Sequence, residues 1–199
     1  MPKAKPKPPT TLLPGFLTSP RIRLRNFRLS DAQPLVDHLK DLQVTRYTYI
    51  PHPYTLEYAH KFLRRVARLR LRGTGIVFAI EEITSGQLIG AIGIMHLDRS
   101  NRKAEFGYWL AKSRWGHGIT TEAVNLFVTY AFETLKLARL QAHVFHPNIA
   151  SQKVLTKCGF VLEGRLRKSD HHRGVWLDNF AYSMLDDEYK SAATKGIHR

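Results

Sequence analysis

Three strand-like segments follow one another in the middle of the chain, and the short turns between them limit the folds that the sequence can adopt. The segments are IVFAIEE at 76–82, LIGAIGIMHL at 88–97 and AEFGYWL at 104–110. Polar turns at 84–86 and 98–102 separate them. Turns this short join antiparallel neighbours, because a parallel pair needs a crossover of about a dozen residues or more. The sequence therefore predicts an antiparallel meander at the centre of the fold.

Helical spacing of apolar residues precedes this meander. Ser30 followed by Gln33 has the pattern of a capping box and predicts a first helix that starts at Ser30. A second helix is predicted from about Thr55, with arginines mostly outside its apolar face. Before both helices, the segment RIRLRNF at 21–27 alternates arginine with apolar residues. This pattern predicts a half-buried strand whose arginines form a solvated face.

Two more helices are predicted after the meander. One directly follows Gly118, and the other runs from Asn148 as its N-cap to a stop at Gly159. Further strands are predicted at 140–145, 160–167 and 175–185. Strands that alternate irregularly with helices, without an internal repeat, predict one α+β domain whose sheet is packed with helices.

The chain of 199 residues suits a single domain, predicted at 16–190. Residues 1–15 are rich in proline and lysine and predict a flexible tail, and 191–199 a short C-terminal tail. No apolar run approaches the length of about 18 residues that spans a bilayer, so no membrane contact is expected. One cysteine, Cys158, excludes an internal disulfide and favours a cytoplasmic protein.

The charge balance is strongly positive. The chain has 31 Lys and Arg residues against 16 Asp and Glu, a formal net charge of +15. Such a field attracts nucleic acids, anionic cofactors and acidic partners, and an ordinary solvated basic surface is the alternative reading. A contact with RNA or the ribosome through this surface is one hypothesis. The oligomeric state is left open between monomer and homodimer.

Two glycines, Gly116 and Gly118, precede the third helix in the stretch SRWGHGITTEAV at 113–124. A helix N-terminus binds anions through its unpaired N–H groups, and glycine lets a phosphate approach the backbone. A dinucleotide-binding turn is excluded, because Thr121 stands where the third glycine is required. No Gly-Lys-Ser/Thr is present for a Walker loop. A tight loop that merely needs positive φ remains the structural alternative.

Other reactive side chains fit catalysis or metal binding poorly. Cys158 lies at a helix C-terminus, where the helix dipole raises the pKa of a thiol, so it is not expected to be a nucleophile. The histidine-containing groups at 170–172 and at His143 and His146 match no zinc spacing. No metal is therefore expected.

Five segments in order resemble the GNAT N-acetyltransferases, and within them the branch of the ribosomal-protein alanine N-acetyltransferases. The segments are SPRIRLRNFRLSDA, RYTYIPHPYTLEYA, AEFGYWL, WGHGITTEA and NIASQKVLTKCGFVLEGRLR. The resemblance covers nearly the whole chain, from about Leu17 to Tyr189. It implies the GNAT fold: a mostly antiparallel, twisted sheet with helices on both faces and a splayed central strand pair. Ser113 departs from the Gln or Arg usual at the start of the family's pyrophosphate loop.

The resemblance also implies that acetyl-CoA is the cosubstrate. Its pantetheine arm is expected to pair with the strand at Tyr108 to Ala111, where that strand splays from the one at 140–145. Asn148 and Ser151 are expected to face the same arm. The backbone N–H groups expected to hold the pyrophosphate are those of Trp115, Gly116, His117, Gly118, Ile119 and Thr120.

By the same resemblance, Glu105 is the candidate general base and Ser151 the candidate acid for the leaving thiolate. A backbone N–H near Trp109 or Leu110 is expected to serve the oxyanion. The implied reaction is direct acetyl transfer to an amine in a ternary complex, with a protein N-terminus as the favoured acceptor. The residues expected to line the acceptor site are Tyr47, Tyr49, His52 and Asn179. A small-molecule amine acetyltransferase, and an RNA-binding protein with a vestigial CoA site, remain the alternatives.

Overall fold

The computed structural model describes residues 15–194. The predicted tail at 1–15 therefore lies outside the described residues except for Gly15, as do residues 195–199. The described chain contains eight strands in one sheet. They are β1 (Phe16–Thr18), β2 (Ile22–Arg25), β3 (Ile76–Glu82), β4 (Leu88–Asp98), β5 (Lys103–Leu110), β6 (Arg139–Phe145), β7 (Val161–His172) and β8 (Val175–Leu185). Their order across the sheet is β1-β2-β3-β4-β5-β6-β8-β7.

Six α-helices accompany the strands in the described part of the chain. They are α1 (Ala32–Leu39), α2 (Leu42–Thr45), α3 (Leu56–Arg72), α4 (Ile119–Thr129), α5 (Ile149–Lys157) and α6 (Asp186–Thr194). A single π-helical segment, Tyr130–Thr134, continues α4. None of the described helices combines the length and apolar character needed to cross a membrane.

Strand pairing confirms the antiparallel meander and the splayed central pair. The β3–β4 and β4–β5 pairs are antiparallel along their length. The β5–β6 pair is parallel and joins only Lys103–Glu105 to Arg139–Gln141. Beyond Glu105 the two strands separate, which leaves the backbone edge of β5 open toward its C-terminal end.

Apolar side chains pack on both faces of the sheet, which confirms helices on both sides. On one face, α4 and α5 bury residues such as Phe127 and Leu155 against Phe106 of β5. On the other face, α1 and α3 pack around Trp109 of the same strand. Because side chains alternate along a strand, β5 presents Glu105, Gly107 and Trp109 to the second face and Phe106, Tyr108 and Leu110 to the first.

The expectation that the arginines of β2 form a solvated face is wrong for Arg25. This side chain is only 5% exposed, and its guanidinium holds Asp31 in two hydrogen bonds of 2.8 Å. It also pairs with Glu81 of the neighbouring strand β3. Two carboxylates brought together by tertiary contacts compensate the buried charge, which alternation along the sequence alone does not reveal.

The helix starts also differ in part from prediction. Thr55 caps α3 and Asn148 caps α5, as expected. The capping box predicted at Ser30 and Gln33 is wrong, because Ser30 lies inside a single 3-10 turn at Leu29–Asp31 and α1 begins after Asp31.

Four elements lie outside the predicted set or exceed their predicted bounds. The short elements β1 and α2 were not predicted, and β7 extends past its predicted end to His172. The chain continues after β8 directly into α6, so the predicted domain end at 190 falls within that helix. Short elements and sheet edges depend on tertiary contacts more than on local periodicity.

Candidate active site

The glycine loop at the entrance of α4 has the geometry of an open cradle. Gly116 and Gly118 have positive φ values of 79° and 75°, so this left-handed backbone favours glycine. The tight-loop reading is therefore correct as far as it goes. A Cβ atom at Gly116 would meet nothing within 4 Å, and one at Gly118 would lie 3.7 Å from the Arg21 guanidinium. The space beside Gly116 is thus free of protein atoms, and that beside Gly118 is bordered only by the Arg21 side chain.

The glycine loop and the start of α4 carry backbone N–H groups without an acceptor in the described chain. The N–H groups from Gly116 to Thr121 have no acceptor among the described residues, as expected at a helix start. The N–H of Trp115 was predicted to be free for an anion, but it donates to the carbonyl of Lys112 at 3.1 Å. Of the predicted set, the N–H groups from Gly116 onward are therefore the ones without an acceptor.

Ion pairs fix the loop from both sides. Arg21 donates to the carbonyl of His117 at 2.8 Å and pairs with Glu122 in the first turn of α4. Arg114 donates to both carboxylate oxygens of Glu82, at 2.7 and 2.9 Å. Arg114 is thus committed to Glu82 and does not replace the arginine or glutamine that Ser113 lacks.

The open edge of β5 leads to this loop. The N–H of Ala111 donates to the carbonyl of Ile89 in β4 at 2.7 Å. Hydrogen-bonded pairs alternate along an antiparallel ladder, so the N–H of Trp109 also faces β4 and that of Leu110 faces the opening. Of the two predicted oxyanion donors, the backbone of Trp109 is therefore excluded and that of Leu110 remains available.

Ser151 is held at the other side of the opening. The side-chain oxygen of Asn148 accepts from the N–H of Ser151 at 3.2 Å. The hydroxyl of Ser151 lies 2.8 Å from the hydroxyl of Tyr108 on β5. Burial raises the pKa of Tyr108 far above its usual value, so this hydroxyl keeps its proton. Tyr108 was predicted only as part of the pantetheine-binding strand, since no local signal indicates its partner.

Glu105 pairs with His143, a residue for which the sequence predicts no catalytic role. Its Oε2 lies 3.0 Å from Nδ1 of His143 on β6. The hydrogen bond to His143 lowers the pKa of Glu105, and the same bond raises the pKa of His143. Nε2 of His143 has no hydrogen-bond partner in the described part of the chain. The two residues become neighbours because β5 and β6 are still adjacent where the splay begins.

Predicted acceptor residues converge on Asp170. Its carboxylate accepts from the Tyr49 hydroxyl and from the Asn179 side-chain amide, and also from Ser169 at 2.9 Å. Burial and the hydrogen bond to Asp170 raise the pKa of Tyr49 to about 12. Asp170 forms no ion pair with any lysine or arginine of the described residues.

The loop before α3 reaches the β7–β8 hairpin near Asp170. His172 hydrogen-bonds the carbonyl of Arg46 at 3.0 Å, and Arg173 donates to the carbonyl of Thr45 at 3.3 Å. Tyr47 and Tyr49 line the cleft, but the exposed His52 is not among its lining residues. Its assignment to the acceptor site is therefore not supported.

These parts belong to one cleft of about 1970 Å³. It runs from the glycine loop past Tyr108 and Ser151 to Glu105, Asp170 and Asn179. The sheet splay thus connects an anion-binding end to a polar end with carboxylates. An arrangement of this kind suits two substrates that meet where β5 and β6 diverge.

Cys158 and the histidines contribute no further reactive centre. Cys158 is fully buried and burial raises the pKa of its thiol to about 12. Among residues 15–194, no group of three or more His, Cys, Asp or Glu side chains is placed to hold a metal ion.

The chain is similar in sequence to known acetyltransferases. Residues 21–161 match the family described as the acetyltransferase (GNAT) domain. The uncharacterized N-acetyltransferase p20 of Bacillus licheniformis is 34% identical over 174 residues, which are 87% of this chain and 97% of that protein. The ribosomal-protein-serine acetyltransferase of Escherichia coli is 29% identical over 119 residues, which are 60% of this chain and 65% of that protein.

A solved structure supports the same fold. A ribosomal L7/L12 α-N-protein acetyltransferase in complex with coenzyme A has a TM-score of 0.79 with this chain. The match covers 87% of this chain and 99% of that chain at 22% sequence identity, so it bears on the fold alone.

Proposed function

The chain belongs to the GNAT acetyltransferase family, and we propose that it transfers the acetyl group of acetyl-CoA to the α-amine of a protein N-terminus. The observation that carries this proposal is the continuity of the cleft. Free N–H groups at the glycine loop, the open edge of β5 and a carboxylate-lined end follow one another in the order that the two substrates require.

The residues present fit acetyl-CoA. The N–H groups from Gly116 to Thr120 suit its pyrophosphate, and the absence of Cβ atoms at both glycines provides the room. The outward backbone groups of Tyr108 and Leu110 suit the amides of the pantetheine arm, with Asn148 on the facing helix. Bound acetyl-CoA supplies a thioester carbonyl that an unprotonated amine attacks, with a thiolate as the leaving group.

Glu105 and His143 act together on the acceptor proton. An α-amine has a pKa near 7.7–8.0 and must lose a proton before attack. Glu105 is a weak base because its pKa is lowered, whereas His143 has a raised pKa closer to that of the amine. His143 takes the proton on its free Nε2, and Glu105 orients the ring through Nδ1 and stabilises the imidazolium, as a carboxylate does in a catalytic triad. In this proposal Glu105 orients the base, His143, and does not itself take the proton.

Ser151 provides a proton at the opposite side of the opening. Its hydroxyl lines the cleft together with Tyr108, whose neutral hydroxyl fixes the Ser151 rotamer through the 2.8 Å hydrogen bond. Tyr108 is therefore a positioning residue and Ser151 the group that faces the sulfur. The N–H of Leu110, on the same strand as Tyr108, is the donor available to the carbonyl oxygen of the thioester.

Asp170 recognises the acceptor before it reacts. A carboxylate without a basic partner, in a chain of net charge +15, is suited to receive a protonated amine. Three neutral donors hold it in place, and a carboxylate has about four acceptor positions, so one remains for the substrate. Tyr49 and Asn179 position this carboxylate by their hydrogen bonds to it.

The choice of a protein acceptor rests on one comparison. A relative that acts on a ribosomal protein aligns over 60% of this chain. A small-molecule amine is the second candidate, because Asp170 offers a local carboxylate to any cationic amine although the overall charge is positive.

The decisive experiment follows release of free CoA thiol from acetyl-CoA with two matched sets of acceptors. One set contains peptides with free N-termini, and the control set contains the same peptides with blocked N-termini. We expect turnover with the free set only, and mass spectrometry should locate the acetyl group on the α-nitrogen. Turnover with small amines but with no peptide would contradict the protein acceptor.

A further inference from the structure

Helix α3 presents a row of cations to solvent. Lys61, Arg64, Arg65, Arg68 and Arg72 are all exposed and follow the spacing i, i+3, i+4, i+7, i+11, which places them on one face. We call this set the α3 stripe. It extends over about 16 Å at roughly 1.5 Å rise per residue. The opposite face of the helix, with Ala59, Leu63 and Val66, is buried against the sheet.

Interactions within the protein do not account for these charges. Lys61 pairs with Glu57 at 2.6 Å, but the four arginines of the stripe have no ion-pair or hydrogen-bond partner among the described residues. Arg64 and Arg68, and also Arg68 and Arg72, are like charges four residues apart, which destabilise a helix by about 0.2–0.5 kcal/mol per pair. The helix dipole favours cations only in the last turn. The central arginines therefore favour an external anion.

We propose that the α3 stripe binds the phosphate backbone of RNA. Arginine is suited to phosphate because its planar guanidinium makes paired hydrogen bonds. Protein interfaces usually have an apolar centre depleted of charge, whereas the exposed Leu71 and Tyr58, whose ring lies beneath Lys61, stand apart near opposite ends of this face. No aromatic side chain interleaves the arginines from 64 to 72, so contact is with phosphates and does not read bases.

The position of the stripe connects it to the cleft. Lys61 and Arg65 line the cleft, while Arg64, Arg68 and Arg72 lead away from it. An RNA strand bound along α3 therefore passes beside the cleft without entering it. The choice of RNA over other polyanions rests on the proposed function, since RNA is the polyanion that surrounds ribosomal proteins.

The test measures binding of a fluorescent RNA duplex by anisotropy between about 50 and 200 mM salt. The variant Arg64→Gln/Arg68→Gln is compared with Arg167→Gln/Lys168→Gln, which removes the same charge from β7. We expect the slope of log affinity against log salt to fall by about 2 in the first variant and to stay near the wild-type value in the second. Glutamine is also a good helix former, so the α3 variant should keep the wild-type melting temperature.

Three outcomes would overturn the proposal: no RNA binding by the wild-type protein, an equal loss of slope in both variants, or equally tight binding of polyglutamate at the α3 stripe. The last would identify an acidic protein as the partner. Acetyl transfer to peptides is measured in parallel. In the wild-type protein, absence of RNA binding with normal transfer would contradict the RNA surface alone, and RNA binding without transfer would contradict the proposed function alone.

Discussion

The hydroxyl of Tyr108 lies 2.8 Å from the hydroxyl of Ser151, and this contact joins the central strand to the first turn of α5. Both groups border the opening between β5 and β6, where the thioester is expected. Because the pKa of Tyr108 is strongly raised by burial, its hydroxyl keeps its proton throughout the physiological range. Tyr108 can therefore donate to Ser151 whenever Ser151 donates toward the cleft.

Removal of the Tyr108 hydroxyl should affect catalysis through Ser151. We expect Tyr108→Phe to lower kcat about fivefold, equivalent to one hydrogen bond of about 1 kcal/mol, with little change in KM for acetyl-CoA. Ser151→Ala should lower kcat about 10- to 100-fold. If Tyr108 acts only by positioning Ser151, the double variant equals Ser151→Ala alone. Fully additive losses would contradict this relationship.

The Glu105–His143 pair predicts a shift in the pH profile. His143 must be neutral to accept a proton, so kcat/KM should rise with pH through its raised pKa. Glu105→Gln removes the largest cause of that raised pKa, so the acid limb should move to lower pH while activity falls. His143→Gln should abolish the limb. The reverse result, a limb that survives in His143→Gln and disappears in Glu105→Gln, would make Glu105 the base.

The glycine loop offers a test with a closely matched control. Gly116 and Gly86 both have positive φ and room for a Cβ atom, but Gly86 lies in the β3–β4 turn, outside the cleft. Alanine at either site should cost about 1–2 kcal/mol of backbone strain. Only Gly116→Ala should weaken CoA binding, by about 10- to 100-fold if a charge-assisted hydrogen bond is lost. Calorimetric titration with CoA and thermal melting separate the two effects. Equal CoA affinity in the two variants would place the phosphates elsewhere.

Local patterns in the sequence predict the frame of this site but not its contacts. Short polar turns are enough to predict the meander, and the cap at Asn148 follows from its immediate neighbours. The pairing of Tyr49 with Asp170 spans 121 residues, and that of Glu105 with His143 depends on where two strands diverge. Neither has a periodicity or spacing that a single sequence displays. Arg25 was likewise expected to be solvated, although Asp31, six residues along the chain, and Glu81 on the neighbouring strand enclose it.

The buried Arg25 network predicts a large effect on stability. Arg25→Met would leave Asp31 and Glu81 buried without their shared cation, and we expect a loss of about 3–5 kcal/mol in the free energy of unfolding. Arg165→Met removes the partly exposed partner of Asp178 and should cost less than about 1 kcal/mol. Urea denaturation of both variants provides the measurement. Similar losses in the two would show that the buried network contributes little.

Asp170 should govern affinity for the protonated acceptor, and because its charge also helps to raise the pKa of His143, its removal should move the acid limb of the pH profile slightly to lower pH. Asp170→Asn keeps the size of the side chain but removes the charge, so KM for the peptide should rise about tenfold near neutral pH while KM for acetyl-CoA stays constant. An α-amine loses its charge above a pH of about 8, so the ratio of variant to wild-type KM should fall toward one as pH rises. Asp178→Asn, which changes a carboxylate outside the cleft, is the matched control. A KM ratio that stays constant with pH, or an equal rise in Asp178→Asn, would mean that Asp170 stabilises the Tyr49 and Asn179 contacts without binding the amine.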